Sequence, residues 1–554
     1  MRARLALLAR PLIAALLLAA LAGCTGAAPP AAGPGGTLRW SLEGVTDITR
    51  LDPARMGGNQ ENLPIYLIFG GLVRINDRLE VVGEGAERWT VSADGTVYTF
   101  YLRENLRYGD GSRATAQHFA AALARTIAPD TGTEFALTFL ANVVGARDVA
   151  EGRAETIAGV RAVDERTLEI TLDSPRGYFL SQLTYGLTYV VPPGEIEAAG
   201  DAWLGRAFGT GPFKVKRHDP GERLVLEGNP HYWAGPPGVA EIELRFFPDT
   251  GAALEAYQAG EVDVMGSVQA GVPADRVAEV RGQPGFQSLS APVMRYIGFN
   301  NALPPFNNVF VRQAFAQGVD REELAEQVLG GTVAPAKRLL PAGFPGTEQP
   351  VDGLDFDPVA ARAALGLAGF VSGSELPPVT LTYDQGDRDL ALVARALQGD
   401  WRDTLGIEVR LEPVPLHVLI SRLDAMVENP SDPATAMQMY LSVWGADYPD
   451  PQNFISLQLH SQSPYNNGHW ANERFDELVE QADQLSGTGR RERFELYREA
   501  EEIALREVGW LPLYSPEVTL AIRPTVRGLV PTSTPQGILA ADWTRVRIVE
   551  AGTR

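Results

Sequence analysis

No single hydrophobic core can organise a chain of 554 residues. Single cores stop growing at roughly 250–300 residues, so this sequence must divide into two or three domains. Hydrophobic residues make up 45% of it and charged residues 21%, enough apolar material to fill those cores rather than leave the chain disordered. The 57 glycines and 40 prolines call for many turns and long connections between elements.

Charge narrows the function. With 48 basic and 69 acidic residues the formal net charge is −21, which argues against nucleic-acid binding and against general attraction to anionic lipid surfaces. Catalytic signatures are missing. There is no G-x-S-x-G elbow, no Gly-Lys dipeptide for a phosphate loop and no H-E-x-x-H. The six histidines have no metal-ligand spacing, and Asp352, Asp355 and Asp357 do not follow a calcium-loop pattern. No enzyme activity, metal or other cofactor is expected.

One cysteine, Cys24, excludes an internal disulfide or a thiolate cluster. Arg2, Arg4 and Arg10 precede an apolar run from Pro11 to Leu21, which reads as a secretory signal too short to span a membrane. Leu21-Ala22-Gly23-Cys24 resembles the lipobox of bacterial lipoproteins. That resemblance implies a signal peptide over 1–23, cleavage before Cys24 and lipidation of Cys24. The Gly/Pro/Ala-rich residues 24–36 then form a lipidated tether.

Strand and helix signals alternate along the rest of the chain, giving α/β character. Ser92–Gly95 is a turn before the β-rich Thr96–Leu102, and Thr115 is placed to cap a helix through Phe119, Leu123 and Ile127. Phe213 and Val215 lead through His218–Gly221 into Leu224–Leu226, a hairpin. Asp320 and Glu323 form a capping-box start to a helix ending at Gly330. Arg491–Val508 is an amphipathic helix with a Glu502–Arg506 pair. Asp450-Pro451 reads as a helix N-cap and first position, and Trp89 and Trp233 as core side chains.

Five blocks stand out in order: Leu51-Asp52-Pro53 with Ile68–Leu72; Ala86–Trp89 through Tyr108–Ser112; Gly209–Phe213 with Asn229–Trp233; Phe299–Asn301 with Pro305–Asn308 and Val311–Ala314; and Trp444–Pro451. Together, over about Leu38 to Val549, they resemble the extracytoplasmic solute-binding proteins of peptide/nickel-type ABC importers, solute-binding protein family 5. One departure is Thr115-Ala116-Gln117-His118, which lacks the acid that family members carry at this helix start. The resemblance implies a two-lobed periplasmic-binding-protein-like fold of class II, cluster C type, with an extra subdomain and a hinge. Lobe I is expected over 37–74, 205–298 and 516–554, the extra subdomain over 75–204 and lobe II over 299–515, with crossings near Phe299 and Ser515.

Asp447 is the sharpest candidate residue. It lies between Trp444 and Tyr448, after the β-like Met439–Val443, on a strand-to-helix turn where α/β proteins commonly bind ligands. In peptide-binding relatives the matching Asp receives the ligand's α-ammonium. The other reading is that Asp447 braces its own loop by hydrogen-bonding backbone amides. The resemblance adds Trp444, Gly445 and Ala446, the loop Gly57-Gly58-Asn59, and Asn300 and Asn301 as ligand-binding candidates. The expected protein is a monomeric, extracytoplasmic lipoprotein, anchored to the cell membrane on its periplasmic side or at the outer cell surface. It would capture a peptide and deliver it to ABC permease and ATPase subunits. A nickel chelate, glycan or other small solute in the same fold, a lipoprotein hydrolase, and a signalling or chaperone lipoprotein are the alternatives.

Overall fold

The computed structural model describes residues 35–56, 59–131, 134–266, 271–273, 276–486, 489–534, 537–539 and 542–550. The expected signal peptide, Cys24 and the tether up to residue 34 lie outside the described residues. So do Gly57 and Gly58.

The molecule is mixed α/β and two-lobed, with a subsidiary sheet. Its main sheet runs in the order Val409–Val414, Val379–Asp384, Met439–Gly445, Val293–Phe299, Trp510–Ile522, Val264–Met265, Thr37–Glu43, Glu241–Phe247, Arg223–Gly228, Phe213–Asp219. Trp510–Ile522 belongs to both halves. Its first part pairs with Val293–Phe299, from Gly298 opposite Trp510 to Arg295 opposite Tyr514. Its second part pairs with Phe286–Ser290, from Ser290 opposite Glu517 to Phe286 opposite Ala521. The chain passes between the halves at Ala291–Pro292 and again between Tyr514 and Glu517. The Ala291 N–H donates to Pro516 O at 2.8 Å, which ties the two crossings together. Phe299, where the sequence places the first crossing, stands at the far end of the strand that begins there.

Strands of the second half are covered on both faces, so their side chains alternate between two apolar cores. Ile297, Phe299, Met439 and Leu441 enter one core with Phe315 and Trp401. Met294, Tyr296 and Tyr440 enter the other with Trp470, Tyr497 and Trp510. A separate antiparallel sheet, ordered Ala86–Val91, Val97–Leu102, Thr167–Thr171, Val160–Ala162, is the extra subdomain. It has no core of its own. Tyr98, Phe100, Phe119 and Leu168 share one cluster with Trp40 and Leu244 of the first half.

Most local signals fold as read. Gly95 closes its turn at φ 75°, a conformation that suits glycine, before the strand Val97–Leu102. Phe213–Asp219 and Arg223–Gly228 form the hairpin. The capping details differ. Thr115 occupies the N-cap of Ala116–Ile127, but its side chain makes no capping hydrogen bond. The Asp320 side chain accepts from the Glu322 and Glu323 amides as expected, yet its own N–H donates to Asp400 Oδ2 at 3.3 Å instead of to Glu323. On the helix Arg490–Glu507, Glu502 pairs with Arg498 at 2.6 Å, not with Arg506. Glu before Arg is the better order on an isolated helix, but such pairs are worth only a few tenths of a kcal/mol, so the surroundings can select the reverse order seen here.

Candidate ligand-binding site

The Trp444–Asp447 turn follows the strand Met439–Gly445, whose last residue lies opposite Val293. That register sets the turn beside the crossing at Ala291–Pro292. The Ala446 N–H donates to Pro292 O at 2.9 Å. The same register sends Asn300 and Asn301 to the other end of the strand, where Phe299 lies opposite Met439. Six residues of strand separate the two ends by roughly 20 Å. Asn300 is fully buried, and its side chain bridges Pro430 O at 2.7 Å and the Ala302 N–H at 3.1 Å. Asn301 donates to Gly468 O at 3.0 Å. The structure therefore uses both asparagines to hold loops together and does not bring them to Asp447.

Asn453 braces the turn. Its Oδ1 accepts from the Trp444 indole N–H at 3.1 Å and from the Asp447 backbone N–H at 3.2 Å. Its amide donates to Asp447 Oδ2 at a long 3.4 Å. Asn453 is fully buried, on the short 3-10 turn Pro451–Asn453. Asp450 caps that turn, its carboxylate accepting from the Gln452 N–H at 3.1 Å, and pairs with Arg493 Nη1 at 2.8 Å. Both members of this ion pair are buried, so it anchors the turn to the helix Arg490–Glu507. With Asn453 and Asp450 holding the loop, Asp447 is spared that task. Among the described residues Asp447 Oδ1 has no hydrogen bond, and no cation lies within ion-pair distance of the carboxylate. Burial pushes the Asp447 carboxyl up to about 6, with the Asn453 amide pulling weakly the other way.

The opposite wall is aromatic, and sequence reasoning missed it. Tyr185 is pushed up to about 12, first by burial and then by the negative charge of Asp447, so its phenol stands near that carboxylate. Tyr185 stacks on Phe139 at 4.5 Å, and Phe135 meets both rings edge-on. Phe139 in turn meets Tyr448 at 6.2 Å. The only sequence signal was Phe135 and Phe139 four apart on the helix Glu134–Leu140, and nothing local links them to residue 447.

The loop after Leu51-Asp52-Pro53 reaches the same place. Asp52 takes both guanidinium arms of Arg125 at 2.8 Å, and the Trp203 indole N–H donates to Leu51 O at 2.8 Å. Met56, the last described residue of the loop, packs on Gly186. A methyl group there would come within 2.6 Å of the Met56 sulfur, so glycine permits the approach. The sequence continues into Gly57 and Gly58, and Asn59 opens the helix Asn59–Ile68 with its side chain outside the described residues. Tyr185 and Gly186, Met56 and the Trp444–Asp447 turn thus converge from three parts of the chain.

Residues 80–466 match the family described as bacterial extracellular solute-binding proteins, family 5 Middle. This chain belongs to that family. The probable deoxycholate-binding periplasmic protein YgiS of Escherichia coli is 30% identical, over 89% of this chain and 90% of YgiS. The dipeptide-binding protein DppE of Bacillus subtilis is 28% identical, over 89% of each chain. Among solved structures, the unliganded open form of the murein tripeptide-binding protein MppA gives a TM-score of 0.82 at 26% identity, covering 94% of this chain and 98% of that one. A second structure of Escherichia coli MppA gives 0.66 at the same identity, covering 94% and 99%. Among the described residues no helix is long and apolar enough to cross a membrane.

Proposed function

We propose that this chain captures a peptide between its two lobes and delivers it to an ABC importer, with the peptide's α-ammonium on Asp447. One observation carries the reading. Asp447 is a half-buried carboxylate without a cationic partner among the described residues, on a turn that other side chains already brace. A partly desolvated carboxylate that keeps a free oxygen is stabilised when a cation arrives to use it. A primary ammonium pairs with Asp447 in this reading, with Tyr185 and Trp444 as aromatic neighbours. Gly445 is exposed next to this position and offers its backbone to an extended ligand, as strand addition requires. Gly57, Gly58 and Asn59, which follow Met56 in the sequence, are assigned the role of approaching the peptide backbone.

The two lobes stand open in this reading. MppA's two structures match this chain with equal identity and nearly equal coverage, yet differ in TM-score, which supports a difference in how the parts are arranged. The higher score belongs to the open, unliganded form. Ligand then favours closure, because only the closed state touches it from both lobes. Cys24 carries the lipid that keeps the protein at the membrane, and the protein performs no catalysis. The lobe boundaries follow the crossings, with residues 75–204 riding on lobe I through their shared core.

A second reading draws on the name of YgiS, in which a bile acid replaces the peptide. Deoxycholate has a carboxylate and no ammonium, so an ionised Asp447 would repel it. Mass spectrometry of solute released from gently purified protein tests the choice. Peptides with free amino termini support the proposal, and a non-peptide solute as the retained species rejects it.

A further inference from the structure

A second cavity, of about 580 Å³, opens where the subsidiary sheet meets the second lobe. Trp89 and Val91 of the edge strand Ala86–Val91 and Leu180 form one wall, and Phe494 with Arg490 and Arg493 of the helix Arg490–Glu507 form the other. Trp89 does not sink into the core, as its sequence suggests. Like Phe494 it is half-buried, with part of its surface left on the cavity. Tyr448, next to Asp447 in sequence and 1% exposed, stacks on Tyr178 at 6.1 Å with the rings 6° from parallel and does not line this cavity. Asp447 is not part of the lining.

Charge in the cavity is one-sided. Asp450 is its one lining acid, and Asp450 is saturated by Arg493. Arg490 has no acidic partner among the described residues, and its guanidinium stands 5.0 Å over the Phe494 ring. The lining therefore offers apolar and aromatic surface with one uncompensated positive charge, and no free carboxylate to receive an ammonium. Its volume lies within the range of small-molecule sites.

We propose that this cavity binds a small amphiphilic anion, an apolar ring system carrying one carboxylate, separately from the peptide. The rings lie between Trp89 and Phe494, where aromatic surface is already half-desolvated. The carboxylate meets Arg490 in a charge-assisted pair.

Calorimetry of the mature protein near neutral pH with naphthaleneacetate and its neutral amide tests this. The acid is expected to bind one-to-one, and the amide about tenfold more weakly, because one hydrogen-bonded charge is lost at a partly solvated rim. Arg490→Gln should weaken the acid about tenfold and remove the difference between acid and amide. Leu180→Trp, or Val91→Phe from the same wall, fills the cavity and should abolish acid binding while peptide binding, measured in parallel as the check on folding, persists. Asp447→Asn should leave the affinity for the acid unchanged. The proposal is overturned by absence of acid binding to the wild type, by equal affinity for acid and amide, or by survival of acid binding in the folded cavity-filling variants. Loss of acid binding in Asp447→Asn overturns it too, because the acid would then occupy the peptide cleft.

Discussion

Lowering the pH from 7 to 5 should weaken peptide binding about tenfold, through one group. The Asp447 carboxyl is held at about 6 by burial. Its ionised fraction is then about nine-tenths at pH 7 and about one-tenth at pH 5, whereas an ordinary Asp near 3.9 stays over nine-tenths ionised throughout. Only the ionised form pairs with an ammonium, so the apparent Kd scales inversely with that fraction. The sign follows from the linkage. Ligand stabilises the carboxylate and lowers its pKa, so binding releases protons near pH 6 and affinity is lost as pH falls through about 6. The ligand's α-amine, at about 7.7–8.0, stays charged across this window and drops out only above it. Tyr185, pushed up to about 12, does not titrate here. Asp483 also sits at about 6 because of burial, but its oxygens are engaged by Tyr497 and Ser456, away from the ligand. Titration calorimetry of the retained peptide at pH 5, 6 and 7, in wild type and Asp447→Asn, separates the two. A Kd that is flat across the range, or that rises equally in both proteins as the pH falls, would refute the reasoning.

Two further outcomes follow from other parts of the chain. Cys24→Ala should release folded, peptide-binding protein from membranes, since a lipid chain supplies membrane affinity without touching the fold, and fractionation in high salt would show it. Asp450→Asn strands the buried Arg493 charge and should cost about 3–5 kcal/mol, a fall of roughly 10 °C in the melting of that lobe, read by scanning calorimetry. A shift of less than about 2 °C would mean that the pair does not anchor the turn.

What was legible in the sequence was local or carried by the five blocks. The Ser92–Gly95 turn, the Phe213–Gly228 hairpin and the Asp450-Pro451 cap depend on neighbours a few residues away, and they fold as read. The Trp444–Asp447 turn was also visible, but what holds it was not. Arg493 meets Asp450 from 43 positions away, and that distance along the chain hides the pair from any local pattern. Asn300 and Asn301 sit in a block shared with the family, yet antiparallel register carries them to the end of the strand remote from Asp447. Trp89 looked like core because a tryptophan in a β-rich run usually is. Its strand lies at the edge of the subsidiary sheet, so one side stays open. Tyr185 and Phe139 approach Asp447 only because the subsidiary sheet packs against the second lobe, a tertiary fact with no local signature.

The most direct measurement of the central claim is calorimetry on four pairings: wild type and Asp447→Asn, each with the retained peptide and with its amino-terminally acetylated form. Removing one partner of a buried charge pair costs on the order of 2–5 kcal/mol, and about 1.4 kcal/mol is tenfold. Acetylation should therefore weaken wild-type binding by about 30-fold or more, Asp447→Asn should weaken binding of the free peptide comparably, and acetylation should cost the Asn variant far less. If acetylation weakens both proteins equally, Asp447 does not hold the ammonium and the account of the site is wrong.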